Sequence, residues 1–281
     1  MARLFGILGN RSDLAGRALL AERTALKVVV PPTPSRSARR GVGWGVGFHQ
    51  NGEVLLRRRP SDEQEEIDLA KQLSDLRADV AIGHVRFATV GGLRAENTHP
   101  FRYRDWLFAQ VGTLDGFDRL RPRLVDSVPE FLRADLRGDT DAELAFHLFL
   151  SFLHDQSALA QGIATTKQIA GALRNAFSLI EELLRENGSK ALAVDWLVTN
   201  GDSLVGLFSR EGAAIRTFAG RADAEAILGE EAAKKVTESV HPRFTLLASE
   251  FDEPPPPSWK PVPRGSIVSV ERSVDHRIEK I

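Results

Sequence analysis

Apolar residues in this chain come in short runs near both ends and at helical spacing through the middle. Leu4-Phe5-Gly6-Ile7-Leu8, stopped by Gly9-Asn10, has the length and punctuation of a buried strand. A helix is expected next, from Ser12 or Asp13 to about Lys27. Val28 to Arg40 holds Pro31, Pro32 and Pro34 among serines and arginines and reads as a loop or flap. Beyond it, Gly43-Trp44-Gly45-Val46-Gly47-Phe48 and Val54-Leu55-Leu56 flank Asn51-Gly52. That pair accepts the left-handed backbone of a tight turn, so a hairpin is predicted. Glu63 to Leu76 reads as a helix, Val80 to Arg86 as an inner strand, and Trp106 to Val111 as the strand beside it.

Thr140-Asp141-Ala142-Glu143 has the capping-box pattern, in which a threonine hydroxyl and a glutamate three residues on satisfy free N–H groups at a helix start. An apolar helix should run from it to about Leu153. Ile169, Leu173, Phe177, Ile180 and Leu184 are spaced 4, 4, 3 and 4 apart, one helical stripe, and Asn187-Gly188 suits its C-terminal cap. Strands return at Ala191–Thr199, Ser203–Phe208, Phe244–Ala248 and Ser266–Val270, with Pro254 to Pro257 an extended spacer. Strands, then helices, then strands, without βαβ alternation or internal repeat, predict an α+β fold. Stacked sheets covered by helices are compatible with this order, but periodicity alone does not require them.

Composition narrows the classes. The chain has 281 residues and 42% hydrophobic content, enough for one large domain or two small ones without staples, and one domain over residues 1–281 is the expectation. Lys and Arg number 37 against 38 Asp and Glu, so no nucleic-acid or membrane-surface partner is indicated. The basic run Arg57-Arg58-Arg59 is answered by Glu63, Glu65 and Glu66. The absence of cysteine excludes disulfides, thiolate zinc sites and cysteine catalysis. No apolar run nears the roughly 20 residues of a membrane span. The first residues lack the long apolar stretch of a signal peptide, so a cytoplasmic location is expected. His84, His99 and His147, separated by 15 and 48 residues, match no compact metal-ligand pattern.

Four segments carry candidate chemistry. They are Met1-Ala2-Arg3-Leu4-Phe5-Gly6, then Gly83-His84-Val85-Arg86-Phe87-Ala88-Thr89 leading through Gly91-Gly92 to Glu96-Asn97-Thr98-His99-Pro100-Phe101. Phe108-Ala109-Gln110-Val111-Gly112-Thr113-Leu114-Asp115-Gly116-Phe117 and Gly138-Asp139-Thr140-Asp141-Ala142-Glu143 follow. In this order and spacing they resemble class-II glutamine amidotransferases, in particular the small stand-alone branch that includes the ergothioneine-pathway γ-glutamyl amidohydrolase. Val198-Thr199-Asn200-Gly201-Asp202 and Ala248-Ser249-Glu250, followed by Trp259-Lys260-Pro261-Val262-Pro263, carry the resemblance to about residue 270.

The resemblance implies a four-layer αββα sandwich of the N-terminal-nucleophile type. It implies that residue 2 becomes the N-terminus and that a cysteine there attacks the glutamine side-chain amide. The base is its own α-amine, whose pKa of about 8 lets it exchange protons near neutrality. By the same resemblance Arg86 binds the substrate α-carboxylate, with Thr89 in the same segment, Asp141 binds the α-ammonium and Gly112 belongs to the oxyanion hole. Each has a plainer reading: an ion pair at a strand end, charge complementarity at a helix start, and a tight turn.

Two departures matter more than the matches. Residue 2 is Ala2, which has no nucleophile, and the family's His-Asn-Gly is replaced by Gln110-Val111-Gly112. Val111 has no side-chain donor for an oxyanion, a loss worth roughly 10²–10³ in rate. A cysteine-to-alanine substitution made to trap substrate would leave the rest of the site intact, so the second change favours natural loss. The expectation is a protein inactive as a glutaminase, acting as a ligand sensor or non-catalytic subunit. It would hold a glutamine or γ-glutamyl ligand through Arg86, Thr89 and Asp141, without cofactor or metal, and any protein partner would be a separate chain. The alternative is an active amidohydrolase that uses another nucleophile, Thr113 or Thr89.

Overall fold

The computed structural model describes residues 2–30, 42–62, 66–87, 90–159, 164–235 and 241–281. The chain opens with β1 (Arg3–Gly9), and the expected helix then comes in pieces: a 3-10 turn at Ser12–Leu14, α1 (Ala15–Ala21) and α2 (Arg23–Leu26). The break falls at Glu22, whose carboxylate is drawn inward to accept from Arg216 Nε at 2.8 Å and Trp259 Nε1 at 2.7 Å. Next come β2 (Val28–Val29), β3 (Val42–Gln50) and β4 (Glu53–Asp62). The hairpin forms as predicted, with Asn51 and Gly52 at φ 53° and 80°.

The helix expected over 63–76 is a correction. Residues 63–65 lie outside the described residues, β5 (Glu66–Ile67) pairs with β2, and only α3 (Leu69–Gln72) is helical. Asp68 caps it by accepting from Lys71 N. The loop or flap read over Val28 to Arg40 falls mostly outside the described residues, and its first two residues are β2.

Strands β6 (Val80–Phe87), β7 (Phe101–Tyr103) and β8 (Trp106–Gly112) follow, then helices α4 (Phe117–Ser127), α5 (Glu130–Arg133), α6 (Asp141–Asp155) and α7 (Thr166–Glu186). The last third contributes β9 (Val194–Thr199), β10 (Leu204–Phe208), β11 (Ala214–Phe218), α8 (Arg221–Leu228) and α9 (Glu230–Ala233). It ends with β12 (Phe244–Ser249), β13 (Lys260–Pro261), β14 (Ser266–Val270) and β15 (His276–Lys280).

The strands form a seven-stranded sheet, β13-β11-β12-β1-β6-β3-β4, and a six-stranded sheet, β15-β14-β10-β9-β8-β7. Trp106–Gly112 is therefore not beside Val80–Phe87, as the sequence suggested. Strand β6 runs between β1 and β3, and β8 lies in the other sheet between β7 and β9. Leu4, Ile82, Leu107, Leu197, Leu204 and Leu247 are buried between the two sheets. On one outer face Phe5 and Ile7 pack with Leu19, Leu26 and Ile227 of the helices. On the other, Phe108 and Trp196 pack with Phe146, Phe149, Leu173 and Phe177 of α6 and α7. Helices, sheet, sheet, helices is the four-layer αββα order. Among the described residues, no helix is long and apolar enough to cross a membrane.

Candidate ligand site

Antiparallel pairing decides which chain ends meet. Arg3 of β1 lies opposite Val85 of β6, so Ala2 and Arg86 lie at the same end of these two neighbouring strands. In the facing sheet β8 ends at Gly112, opposite Val194. Gly112 has φ 96°, and a Cβ there would lie 2.3 Å from the carbonyl oxygen of Ala193. Only glycine fits, so the fold alone accounts for this residue. A cavity of about 220 Å³ is lined by Ala2, Arg86, Val111, Gly112 and Asp141 together. Thr113 lines it too, and Thr89 lies outside the described residues.

Arg86 is buried, and its guanidinium donates to the loop that follows β6: to the carbonyl oxygens of Val90, of Gly92 at 3.3 Å and of Gly91 at 3.4 Å. Burial lowers its pKa, while Asp141 and Asp139 act in the opposite direction. Asp141 is 5% exposed, and burial raises its pKa against the N–H groups that bond it. Its Oδ2 accepts from Leu114 N at 2.8 Å and Gln110 Nε2 at 3.2 Å, and its Oδ1 from Ala142 N at 3.0 Å. Gln110 in turn accepts from Trp196 Nε1 at 2.8 Å. Asp141 thus ties the end of β8 to the start of α6 while still facing the cavity.

The helix start itself differs from the expected reciprocal box. Thr140 Oγ1 accepts from Glu143 N at 3.2 Å, but the Glu143 carboxylate turns to Arg137 N and Gly138 N, at 2.9 and 2.8 Å.

Other groups at the cavity had no assigned role in the sequence reading. The His84 and His99 rings lie 4.3 Å apart, centre to centre. Burial pushes the His84 pKa down to about 3 and that of His99 well below its usual value, with Arg86 adding to both shifts. Both imidazoles are therefore neutral and weakly basic near neutral pH. Arg210, following β10, forms an ion pair with Glu250, following β12, and so joins the two sheets where both residues line the cavity. Glu250 holds a left-handed backbone at φ 65°. Asp195 lies opposite Val111 in the β8–β9 register and accepts from Arg210 N at 3.2 Å. Its carboxyl is pushed up to about 6, chiefly by burial, with Arg210 opposing. The signal for Asp195 was there: an acid inside Val194-Asp195-Trp196-Leu197 is a charge in an otherwise buried strand. No group of three metal-ligating side chains comes together among the described residues.

The family model for glutamine amidotransferases class-II matches residues 33–248. The chain belongs to this family. A probable glutamine amidotransferase, DUG3, of Saccharomyces cerevisiae is 28% identical over 126 residues, which cover 42% of this chain and 35% of that protein. A glutamine–fructose-6-phosphate aminotransferase (isomerizing) of Chlamydia muridarum is 34% identical over 106 residues, covering 37% of this chain and 17% of that protein. The match therefore spans about a third or less of these two relatives. Among solved structures, a "predicted glutamine amidotransferase" from Pseudomonas aeruginosa superposes with a TM-score of 0.62 at 20% identity, covering 99% of this chain and all of the other. A glutamine phosphoribosylpyrophosphate amidotransferase from Bacillus subtilis gives 0.55 at 18% identity, over 99% of this chain and 49% of that one. At these identities the likeness is one of fold, and it agrees with the αββα order of this class-II family member.

Proposed function

We propose that this class-II amidotransferase relative binds glutamine or a γ-glutamyl compound without hydrolysing it, as a ligand sensor or as the non-catalytic subunit of a separate partner chain. One observation carries the reading: Ala2 presents a methyl group to the same cavity onto which Arg86 and Asp141 open. A guanidinium and a carboxylate on one small cavity are suited to the two charged ends of an α-amino acid. Among the described residues, the agents that the resemblance implies for the chemistry after binding are missing. Ala2 cannot attack, Val111 has no side-chain donor for an oxyanion, and the two nearby imidazoles are weak bases. The reading goes with a cytoplasmic protein that needs no cofactor.

The test is isothermal titration with L-glutamine and a γ-glutamyl dipeptide, with ammonia followed in the same samples. Binding without ammonia, abolished by Arg86→Ala, is the expected result. Ammonia release that disappears in Thr113→Ala would replace this reading with an active amidohydrolase, because Thr113 is a hydroxyl lining the cavity. Neither heat nor ammonia would sink the sensor and leave the non-catalytic subunit.

A further inference from the structure

A second cavity, of about 500 Å³, lies around the early turns of α6 and shares no lining residue with the first. Asp141 and Ala142 line the first, and Glu143, Phe146 and His147 line the second. Its buried side is built from Phe101, Phe146 and His147, the last only 4% exposed. His147 Nδ1 lies 2.8 Å from the carbonyl oxygen of Glu143. A carbonyl can only accept, so Nδ1 carries the proton and Nε2 is a bare acceptor. That Nε2 is buried and has no hydrogen-bond partner among the described residues. Burial lowers the His147 pKa, so the ring keeps this neutral, accepting form near neutral pH.

A second orphan sits on the same wall. Arg58 donates to the carbonyl oxygens of Ala95 and Pro100, yet its Nε is buried and has no partner among the described residues. Two residues lining one cavity that each carry a buried polar atom without a partner among the described residues are unusual in a folded chain and favour a polar occupant. Toward solvent the lining changes character, with exposed Arg102 and Arg137. Glu143 keeps its negative charge on this wall, though both its oxygens accept backbone N–H groups. Asp135 and Glu96 share the wall and favour a ligand of low charge over a polyanion.

We propose that this cavity is a second binding site, for a small anionic metabolite whose far end carries an O–H or N–H donor. The donor meets His147 Nε2, and the anionic group meets Arg102 and Arg137. The site is independent of whatever occupies the first cavity.

Glycerol 3-phosphate, inorganic phosphate and glycerol, titrated into the full chain by calorimetry and amide chemical shifts, test the bipartite requirement. Lactate, a hydroxylated carboxylate, tells a carboxylate source from a phosphate one. Glycerol 3-phosphate or lactate should bind more tightly than phosphate or glycerol, with shifts centred on Phe101 and His147, and excess glutamine should not compete. The double variant Arg102→Gln/Arg137→Gln should weaken binding about tenfold or more. His147→Phe, if its melting curve matches the parent, should reduce the hydroxylated anion to the level of phosphate; where it fails to fold, the rim variant decides. Equal affinity for glycerol 3-phosphate and phosphate, competition by glutamine, binding untouched by the rim variant, or no binding of any probe would each overturn the proposal.

Discussion

A carboxylic acid on an inner strand stays where water would normally be required. Asp195 is 1% exposed on β9, and its carboxyl is pushed up to about 6 by burial, with Arg210 working the other way and Glu250 adding to the rise. A folded-state pKa above the unfolded value means the native chain holds the proton more tightly. The stability this contributes is complete below about pH 4 and is lost as pH rises through about 6. Two pKa units correspond to roughly 3 kcal/mol. Asp195→Asn keeps an oxygen for Arg210 N and removes the titration. Urea unfolding of both proteins should show the variant gaining on the parent by about 2 kcal/mol between pH ~4.5 and ~7.5. Parallel pH profiles would mean that Asp195 is solvated in a way its burial denies. At this scale the sequence was partly legible. Arg86, Gly112 and Asp141 stood in ordered motifs and meet at one cavity, whereas Arg210 reaches it, and Asp195 comes to lie beside Val111, through the pairing of distant segments, which no local pattern encodes.

Helix α6 is anchored at its start by two neighbouring side chains with unequal tasks. Thr140 accepts one N–H of the first turn. Asp141 accepts from its own helix, from the segment after β8 and from Gln110. Thr140→Ala should therefore lower stability by about 1 kcal/mol. Asp141→Ala, which strands two buried donors beyond the helix, should lower it by about 2–4 kcal/mol. Equal losses for the two would show that Asp141 does little to join α6 to β8, and that its place at the cavity is explained by a ligand alone. Elements with strong periodicity or turn signals were readable: the hairpin at Asn51-Gly52, α6, and α7 with its stripe. Partner choice was not, because β6 and β8 are both buried on both faces and their apolar runs carry no mark of which sheet they join. Strand β15 escaped notice because its side chains, His276 to Lys280, are mostly exposed and charged.

The whole molecule rests on a seam where the two sheets pack face to face with buried leucines and valines between them. Gly6 on β1 makes room for Leu204 on β10: a Cβ at Gly6 would lie 2.8 Å from Leu204 Cδ1. Leu204→Ala should then cost about 3–5 kcal/mol, seen as a lower urea midpoint at unchanged slope. Gly6→Ala alone should also destabilise, but in the double variant the added methyl has space. A cycle that sums additively would mean the two sheets do not interlock at this point.

The bonds of Arg86 to the carbonyls of residues 90–92 carry a consequence for how anything could be recognised there. Those three bonds use Nη1 and Nη2, and a guanidinium has five N–H donors, so an arriving carboxylate shares Arg86 with the chain's own carbonyls rather than finding it unoccupied. A change in residues 90–92 that never touches a ligand can therefore tighten or weaken its hold, simply by altering how firmly the chain grips its own arginine.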